Sequence, residues 1–266
     1  MNTIQKTLSL TALSLALGMT GMAQTKPNST SQAVTKPAVT KPAVVKKPVT
    51  PKPAVMNPHL LVFEQSRMFG DVGTAISSLN YLIASEPVKY ASYADTLAAV
   101  YLNAGYYSQC NILSSLLLAR NPNKESLMSM KAASLRQLNV PAESAELYSK
   151  LYAMSNNYRY GMELLQIQLE LQRLPECLAT SNALLSGTKF KEEDKVSVPK
   201  ADNKSFETVP AKSFILYVQG LAYNLAKDTE KAKDAIQKAL VEAPTFSLAT
   251  EALSSLQKQA EGTPKE

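Results

Sequence analysis

The sequence predicts an all-α protein built as a solenoid of antiparallel helix pairs. The first observation is a repeat, in which Gly70, Ala75, Leu79 and Pro87 recur 35 residues later as Gly105, Cys110, Ser114 and Pro122. The second observation is a further copy near the C-terminus, with the same order of bulky, small and aromatic positions: Leu216, Gly220, Tyr223, Ala232, Ile236, Ala239 and Pro244. A repeat period of about 34 residues is typical of helical hairpins that stack on one another.

Packing explains the residue types in each copy. Two antiparallel helices approach closely where they cross, so small residues such as Gly220 and Ala232 are needed on the facing sides. Larger residues about two turns apart, such as Leu216 and Tyr223, fill the layer between hairpins. One hairpin cannot bury its apolar stripe alone, so stacking is required, and a helix from Ser247 to Gln259 is predicted to cap the open end.

These residues resemble the tetratricopeptide repeat family. The last copy fits best, because only Gln219 replaces a leucine of the family pattern. Other copies follow the pattern with decreasing fidelity: Leu97, Ala98, Tyr101, Gly105, Cys110, Leu117 and Pro122; then Ala132, Leu135, Asn139, Ser144, Tyr148 and Leu151; then Leu165, Leu169, Leu178 and Leu185. The resemblance implies a right-handed superhelix of about five repeats within residues 57–260.

The first 23 residues have the features of a cleaved bacterial secretory signal peptide. Lys6 precedes the apolar residues 8–19, and Gly21, Met22 and Ala23 form a small-residue cleavage site before Gln24. A membrane anchor is the weaker alternative, because a span needs roughly 20 apolar residues. With no cysteine after the run for lipid attachment, the sequence predicts a periplasmic or secreted protein without a transmembrane segment after cleavage.

Residues 24–56 are predicted to be a disordered Lys/Pro-rich linker, in which Val-Thr-Lys-Pro-Ala occurs twice in succession. This linker explains the basic composition. The chain has 28 Lys and Arg, of which one lies in the signal peptide and six lie in the linker. The rest of the chain therefore has 21 basic residues and all 22 Asp and Glu, which gives a net charge of −1. This balance argues against a nucleic-acid-binding face. The six linker lysines either bind an anionic wall polymer or keep the linker extended and soluble: Lys26, Lys36, Lys41, Lys46, Lys47 and Lys52.

No pattern in the sequence indicates catalysis, a metal or a cofactor. Cys110 occupies the small-residue position of its repeat, and Cys177 lies next to the corresponding position two repeats later, which predicts two buried thiols rather than a disulfide. His59 is the only histidine. Glu163 and Glu170 lie two turns apart, about 10.5 Å along a helix, which is too far for a retaining glycosidase pair and favours a solvated face. We therefore expect a protein that is not an enzyme.

Residues 187–212 interrupt the repeat period. The segment is rich in lysine and acidic residues and contains Pro199 and Pro210, which predicts a solvated loop, either functional or a tolerated insertion. Residues 261–266 are predicted to be a disordered tail.

The family resemblance implies a concave groove lined by the first helix of each hairpin, which binds a protein or peptide partner. The inward positions carried over from the family are Arg67, Asp95, Asn103, Arg136, Gln137, Tyr160, Glu163, Glu170, Tyr217 and Asn224. This set lacks the Lys/Asn/Arg clamp with which some members hold a C-terminal carboxylate. The resulting hypothesis is a non-catalytic adaptor in the cell envelope. The alternatives are a structural component that binds wall or surface polysaccharide through linker and groove, and a subunit that depends on a partner enzyme.

Overall fold

The computed structural model describes residues 56–261, and the side chains of residues 56–259. The predicted signal peptide, the linker up to residue 55 and the tail beyond residue 261 lie outside the described residues.

The described chain folds into five antiparallel helical hairpins followed by a single helix. The hairpins are α1 (Pro58–Phe69) with α2 (Val72–Ser85), α3 (Tyr93–Asn103) with α4 (Tyr107–Arg120), α5 (Glu125–Gln137) with α6 (Pro141–Ser155), α7 (Tyr158–Glu170) with α8 (Leu174–Gly187), and α9 (Ala211–Leu225) with α10 (Thr229–Glu242). The last helix, α11 (Ser247–Glu261), packs against α10. The predicted solenoid of helix pairs is confirmed, and a helix begins at Ser247 where the cap was expected.

Side-chain caps and left-handed turns set the helix boundaries. Asn57 accepts a hydrogen bond from the His59 amide at the start of α1, and Asp71 does the same for Thr74 at the start of α2. Gly70 and Gly105 have φ of 71° and 79°, as their positions after α1 and α3 require. The later hairpins place other residues in this conformation, at Asn139, Gln172 and Lys227.

Close approach at the helix crossings follows the predicted small residues. A Cβ atom on Gly220 would lie 2.5 Å from Cγ1 of Ile236 and 3.1 Å from the Ala232 carbonyl oxygen, so α9 and α10 touch directly. In the α5–α6 crossing the hydroxyl of Ser144 donates to the Ala132 carbonyl at 2.8 Å. In the α7–α8 crossing the Cys177 thiol lies 3.7 Å from the Leu165 carbonyl oxygen. Serine and cysteine therefore take the small-residue position in the degenerate copies.

The buried core is continuous at one end and divided at the other. From α7 to α11, one apolar cluster runs from Met162 to Leu256. Smaller separate clusters lie around Leu79, Leu127 and Leu151, and the last of these reaches Leu164 and Ile167 of α7.

The expectation of a solvated loop at residues 187–212 is wrong in its central part. Two antiparallel strands, β1 (Lys195–Pro199) and β2 (Phe206–Pro210), pair with Val196 opposite Val209. Val196, Val198 and Val209 are buried and join the large core of the C-terminal hairpins. Alternating valines give this hairpin one apolar face, which the high charge of the segment concealed.

The candidate partner-binding groove

The first helices of successive hairpins meet on one side of the stack, and we call the surface that they line the groove. Polar side chains join these helices from one hairpin to the next. Asp95 of α3 forms an ion pair with Lys124, the residue before α5. The Tyr160 hydroxyl of α7 donates a 3.0 Å hydrogen bond to Glu125 of α5. These links show that the groove is continuous from α3 to α7.

An ion cluster lies at the centre of the groove. Arg136 of α5 donates to Glu163 at 2.5 Å and to Glu170 at 2.6 Å, both on α7. The Arg136 and Glu163 side chains are only 6% and 9% exposed, whereas Glu170 is 41% exposed. The structure therefore brings together three of the predicted site residues and buries two of them. The expectation that Glu163 belongs to a solvated face is wrong, because the neighbouring hairpin covers it.

Burial and charge oppose each other within this cluster. Burial alone would lower the pKa of the Arg136 guanidinium, but Glu163 and Glu170 outweigh that effect and leave this pKa raised. Burial also raises the pKa of the Glu163 carboxyl, although Arg136 acts in the other direction. The cluster is therefore a link between hairpins in which only Glu170 has a substantial exposed surface for a ligand.

Tyr160 lies half-buried beside this cluster. Its ring centroid lies 6.3 Å from that of the buried Tyr148, and its hydroxyl remains at the groove surface on Glu125. Burial, followed by the hydrogen bond to Glu125, raises the pKa of Tyr160, so the phenol stays protonated at neutral pH. Tyr160 can offer a ring edge to a partner while its hydroxyl is held in place.

A small cleft closes the C-terminal end of the groove. Its volume of about 50 Å³ is far below that of an ordinary cofactor pocket, which is about 300–1,000 Å³. Helices α9, α10 and α11 supply the lining: Tyr217, Leu221, Asn224, Ile236, Leu248, Glu251, Ala252, Ser255, Leu256 and Gln259. Since α11 packs where the first helix of a further hairpin would lie, the cleft belongs to the same surface.

Tyr217 lies in this cleft but is not an exposed anchor. It is 6% exposed, and its ring meets that of Phe246 edge-on at 5.1 Å. Burial raises the pKa of Tyr217, with Glu251 adding to the effect. The prediction that Tyr217 is free to contact a partner is wrong, because α11 and the segment before it cover the ring. Asn224, on the same helix, is half-buried and lines the cleft.

The remaining predicted residues lie apart from the central cluster. Arg67 is exposed and pairs with Glu64 of its own helix at 2.8 Å. Asn103 is exposed at the C-terminal end of α3, and Gln137 is half-buried at the end of α5. The prediction that these residues contact a partner stays a prediction.

Sequence reasoning missed two carboxylates of the groove. Glu125 lies in the first turn of a degenerate repeat, where its register could not be fixed. Glu251 lies on the predicted cap helix and lines the cleft together with Leu248 and Ala252. Glu125 could have been found from the sequence, because it precedes the predicted groove residue Tyr160 by 35 residues, which is one repeat period.

Cys110 and Cys177 are free and buried, and burial raises the pKa of the Cys177 thiol to about 12, which disfavours a reactive thiolate. Among residues 56–261, no group of three or more His, Cys, Asp or Glu side chains is arranged to hold a metal ion. Within the same residues, no helix is long and apolar enough to cross a membrane.

Solved structures share this architecture. YrrB, described as a TPR protein with an unusual peptide-binding site, is 16% identical with a TM-score of 0.55, and the alignment covers 74% of this chain and 91% of YrrB. A crystal structure of MamA is 12% identical with a TM-score of 0.54, covering 78% of this chain and 95% of MamA. No family model and no curated protein matches the sequence. The chain therefore has the tetratricopeptide-repeat fold.

Proposed function

We propose that this protein is a non-catalytic scaffold of the bacterial cell envelope that binds an extended segment of a partner protein along the groove. The observation that carries this proposal is the run of polar contacts between successive first helices, from Asp95 to Glu170. These contacts hold side chains at fixed positions along a surface that crosses several hairpins. YrrB, which shares the fold and has a peptide-binding site, supports the same use of such a surface.

The charge of the groove indicates the chemistry of the partner segment. Five carboxylates belong to the contacts and the cleft described above: Asp95, Glu125, Glu163, Glu170 and Glu251. Two basic groups, Lys124 and Arg136, oppose them, which leaves a net charge of −3. Glu125, Glu170 and Glu251 are exposed. The groove therefore favours a segment that carries lysine or arginine.

The experiment measures binding of three labelled peptides of equal length, one basic, one neutral and one acidic, by fluorescence anisotropy. We expect the basic peptide to bind and the acidic peptide not to bind. Replacing Glu125 and Glu251 together by lysine is expected to weaken binding of the basic peptide at least about tenfold, the equivalent of 1.4 kcal/mol.

The matched control is the double variant Glu146→Lys/Glu192→Lys. It makes the same change of charge at exposed carboxylates of α6, a second helix, and of the segment after α8. If the control weakens binding as much as the groove variant, the attraction is a property of net charge and the groove proposal fails. Failure of all three peptides to bind would also contradict it.

The envelope location is part of the proposal and rests on the sequence of residues 1–23. N-terminal sequencing of the protein from intact cells should find Gln24 first, in a fraction released by osmotic shock. Recovery of most of the protein with Met1 intact would contradict export. The wall-polymer alternative depends on the linker lysines outside the described residues, and binding to isolated cell wall by the full chain tests it separately.

A further inference from the structure

The cleft at the C-terminal end of the groove has the size of a site for one long side chain. Its volume is about 50 Å³. A cavity needs about 10–15 Å³ of such free volume for each group the size of a water molecule, so this cleft accommodates about four non-hydrogen atoms. A ligand that fills it is therefore the end of a single side chain, and not a cofactor.

The walls of the cleft are largely apolar. Leu221 of α9, Ile236 of α10, and Leu248 and Ala252 of α11 line it. All four side chains belong to the large C-terminal core or pack against it, so the three helices hold the walls in place. These walls offer van der Waals contact to the methylene groups of an unbranched hydrocarbon stem.

A phenol and a carboxylate supply the central polar part of the lining. Tyr217 is 6% exposed and lines the cleft from α9, while Glu251 lines it from α11. Glu251 contributes to the raised pKa of Tyr217, so its carboxylate lies close enough to interact with the phenol. Among the described side chains, the structure gives neither group a hydrogen-bond or ion-pair partner. Both groups are therefore free to receive a ligand.

The chemistry of these two groups selects a positively charged donor. An ionised carboxylate only accepts hydrogen bonds, and a phenol oxygen can accept one while its ring attracts a cation. The half-buried Asn224 also lines the cleft, and its amide oxygen can accept a further hydrogen bond. Glu251 is exposed, so a charged group can reach it from solvent without first losing all of its water.

Lysine fits this cleft better than arginine does. Beyond its β carbon, lysine has an unbranched stem of three carbons and a compact ammonium nitrogen, which matches the available volume. The guanidinium group of arginine is flat, wider and larger, and it needs a planar arrangement of acceptors. Acetylation of lysine would remove the charge and add a carbonyl and a methyl group, which the cleft has no room to hold.

We propose that the cleft binds one lysine side chain of the partner segment, with its ammonium group beside Tyr217 and Glu251 and its stem along the apolar walls. This inference rests on the proposed function for the source of the lysine. It adds the identity of one anchoring residue and places that residue at the C-terminal end of the groove, where it would fix the position of the segment.

The first test compares two labelled peptides of equal length and charge, which carry lysine or arginine at every second position. Fluorescence anisotropy measures their binding to the full chain. General attraction to the acidic groove is the same for both peptides, so a difference between them reports the cleft. We expect the lysine peptide to bind at least about fivefold more tightly, as one added charge-assisted hydrogen bond would provide.

Tyr217→Phe and Glu251→Gln should each remove the preference for lysine while the arginine peptide binds nearly as before. The matched controls are Tyr223→Phe, on the same helix but outside the cleft lining, and Glu192→Gln, at an exposed carboxylate after α8. Both controls should keep the preference. Far-ultraviolet circular dichroism checks that every variant is folded, and Tyr217→Phe keeps the aromatic ring that packs on Phe246.

A second test does not depend on the rest of the groove. The probe is a single lysine with both ends capped as amides, and its binding is followed by nuclear magnetic resonance of side-chain methyl groups. Saturable shifts should appear at Leu221, Leu248 and Ala252, with a dissociation constant on the order of millimolar, as suits a single side chain. Capped arginine and capped acetyl-lysine should produce no such shifts, and Glu251→Gln should abolish the shifts caused by lysine.

The two tests separate this proposal from the proposed function. If both peptides bind equally well and capped lysine shifts no methyl group of the cleft, the lysine site is wrong and the groove proposal stands. If neither peptide binds but capped lysine shifts those methyl groups, the groove proposal is wrong and the lysine site stands. Carbodiimide coupling of Glu251 to Lys265 of the same chain would show that the tail fills the cleft, which would overturn binding of a partner's lysine.

Discussion

The two ends of the stack differ in how their hairpins pack against one another. From α7 onward, one continuous core joins four helices, the β-hairpin and the capping helix. From α1 to α7 the core is divided into smaller clusters, and the groove side carries the polar links Asp95–Lys124 and Glu125–Tyr160. Successive hairpins therefore share one extended apolar core in the C-terminal region. In the N-terminal region each apolar cluster spans only one boundary between hairpins, and polar contacts between first helices lie beside these clusters.

The β-hairpin contributes to the continuous core of the C-terminal region. Its buried valines pack on the core beside α9. The Tyr158 hydroxyl donates to Asp194 at 2.9 Å, and Glu207 accepts a hydrogen bond from the Ser247 amide at 3.0 Å. The inserted segment therefore connects α7, α9 and the start of α11, whereas the described N-terminal hairpin has no corresponding insertion.

The largest effect is expected at the boundary between the two regions. Arg136→Met removes the partner of the buried Glu163 carboxylate, which should lower the free energy of unfolding by about 3–5 kcal/mol at neutral pH. Burial already raises the pKa of Glu163, so without Arg136 the folded state favours the protonated acid more strongly. A group with a raised folded pKa loses its contribution to stability as the pH rises through the carboxyl range, so the defect should be smaller at pH 5 than at pH 8.

Chemical denaturation of the variant and the wild type at both pH values measures this difference. The control is Arg136→Met/Glu163→Gln, which removes the buried charge and should recover much of the loss without the pH dependence. A variant that loses nothing at pH 8 would show that the boundary is held by apolar packing alone.

The second effect concerns the closest helix crossing of the C-terminal region. Gly220→Leu would place side-chain atoms where Ile236 and the Ala232 carbonyl already lie, and we expect a loss of about 1–3 kcal/mol or more. The control is Gly187→Leu, because a Cβ there meets nothing within 4 Å. Thermal unfolding compares the two, and equal midpoints would contradict the assigned crossing.

The fold and the groove differ in how far the sequence could predict them. The crossing at Gly220 and Ala232 was predictable because close approach restricts residue size at a fixed spacing. The grouping of Arg136, Glu163 and Glu170 was also predictable from the repeat register. Their burial was not, because it depends on how adjacent hairpins pack, and one repeat's sequence does not specify that packing.

Two further differences have local causes. Tyr217 was expected at the surface because its register is that of a groove position, but α11 covers it in this chain. The β-hairpin was missed because its alternation extends over only five residues in each strand, between many charged residues.

The third effect tests whether the β-hairpin belongs to the C-terminal core. Val198→Ala removes two methyl groups from a side chain that is 1% exposed, which should cost about 2 kcal/mol. Ser197→Ala, on the exposed side of the same strand, should be nearly neutral. Hydrogen exchange should show faster exchange in α9 and α11 for the valine variant only. If both variants have the same stability and the same hydrogen exchange, the β-hairpin does not contribute to the core, and another contact must make the C-terminal core continuous.

The smallest effect has the opposite sign and lies in the N-terminal region. Gly73 is in the first turn of α2 with an ordinary helical backbone, and an added Cβ would meet only the Asp71 carboxylate, at 3.8 Å. Gly73→Ala should therefore stabilise the first hairpin by about 0.4–1 kcal/mol, because alanine loses less backbone entropy on folding. Because the core is divided from α1 to α7, the gain should appear as slower hydrogen exchange of α1 and α2 and leave exchange in α9 and α10 unchanged. Slower exchange throughout the stack would show that the two regions unfold as one unit, and the contrast between a divided and a continuous core would then have no energetic meaning.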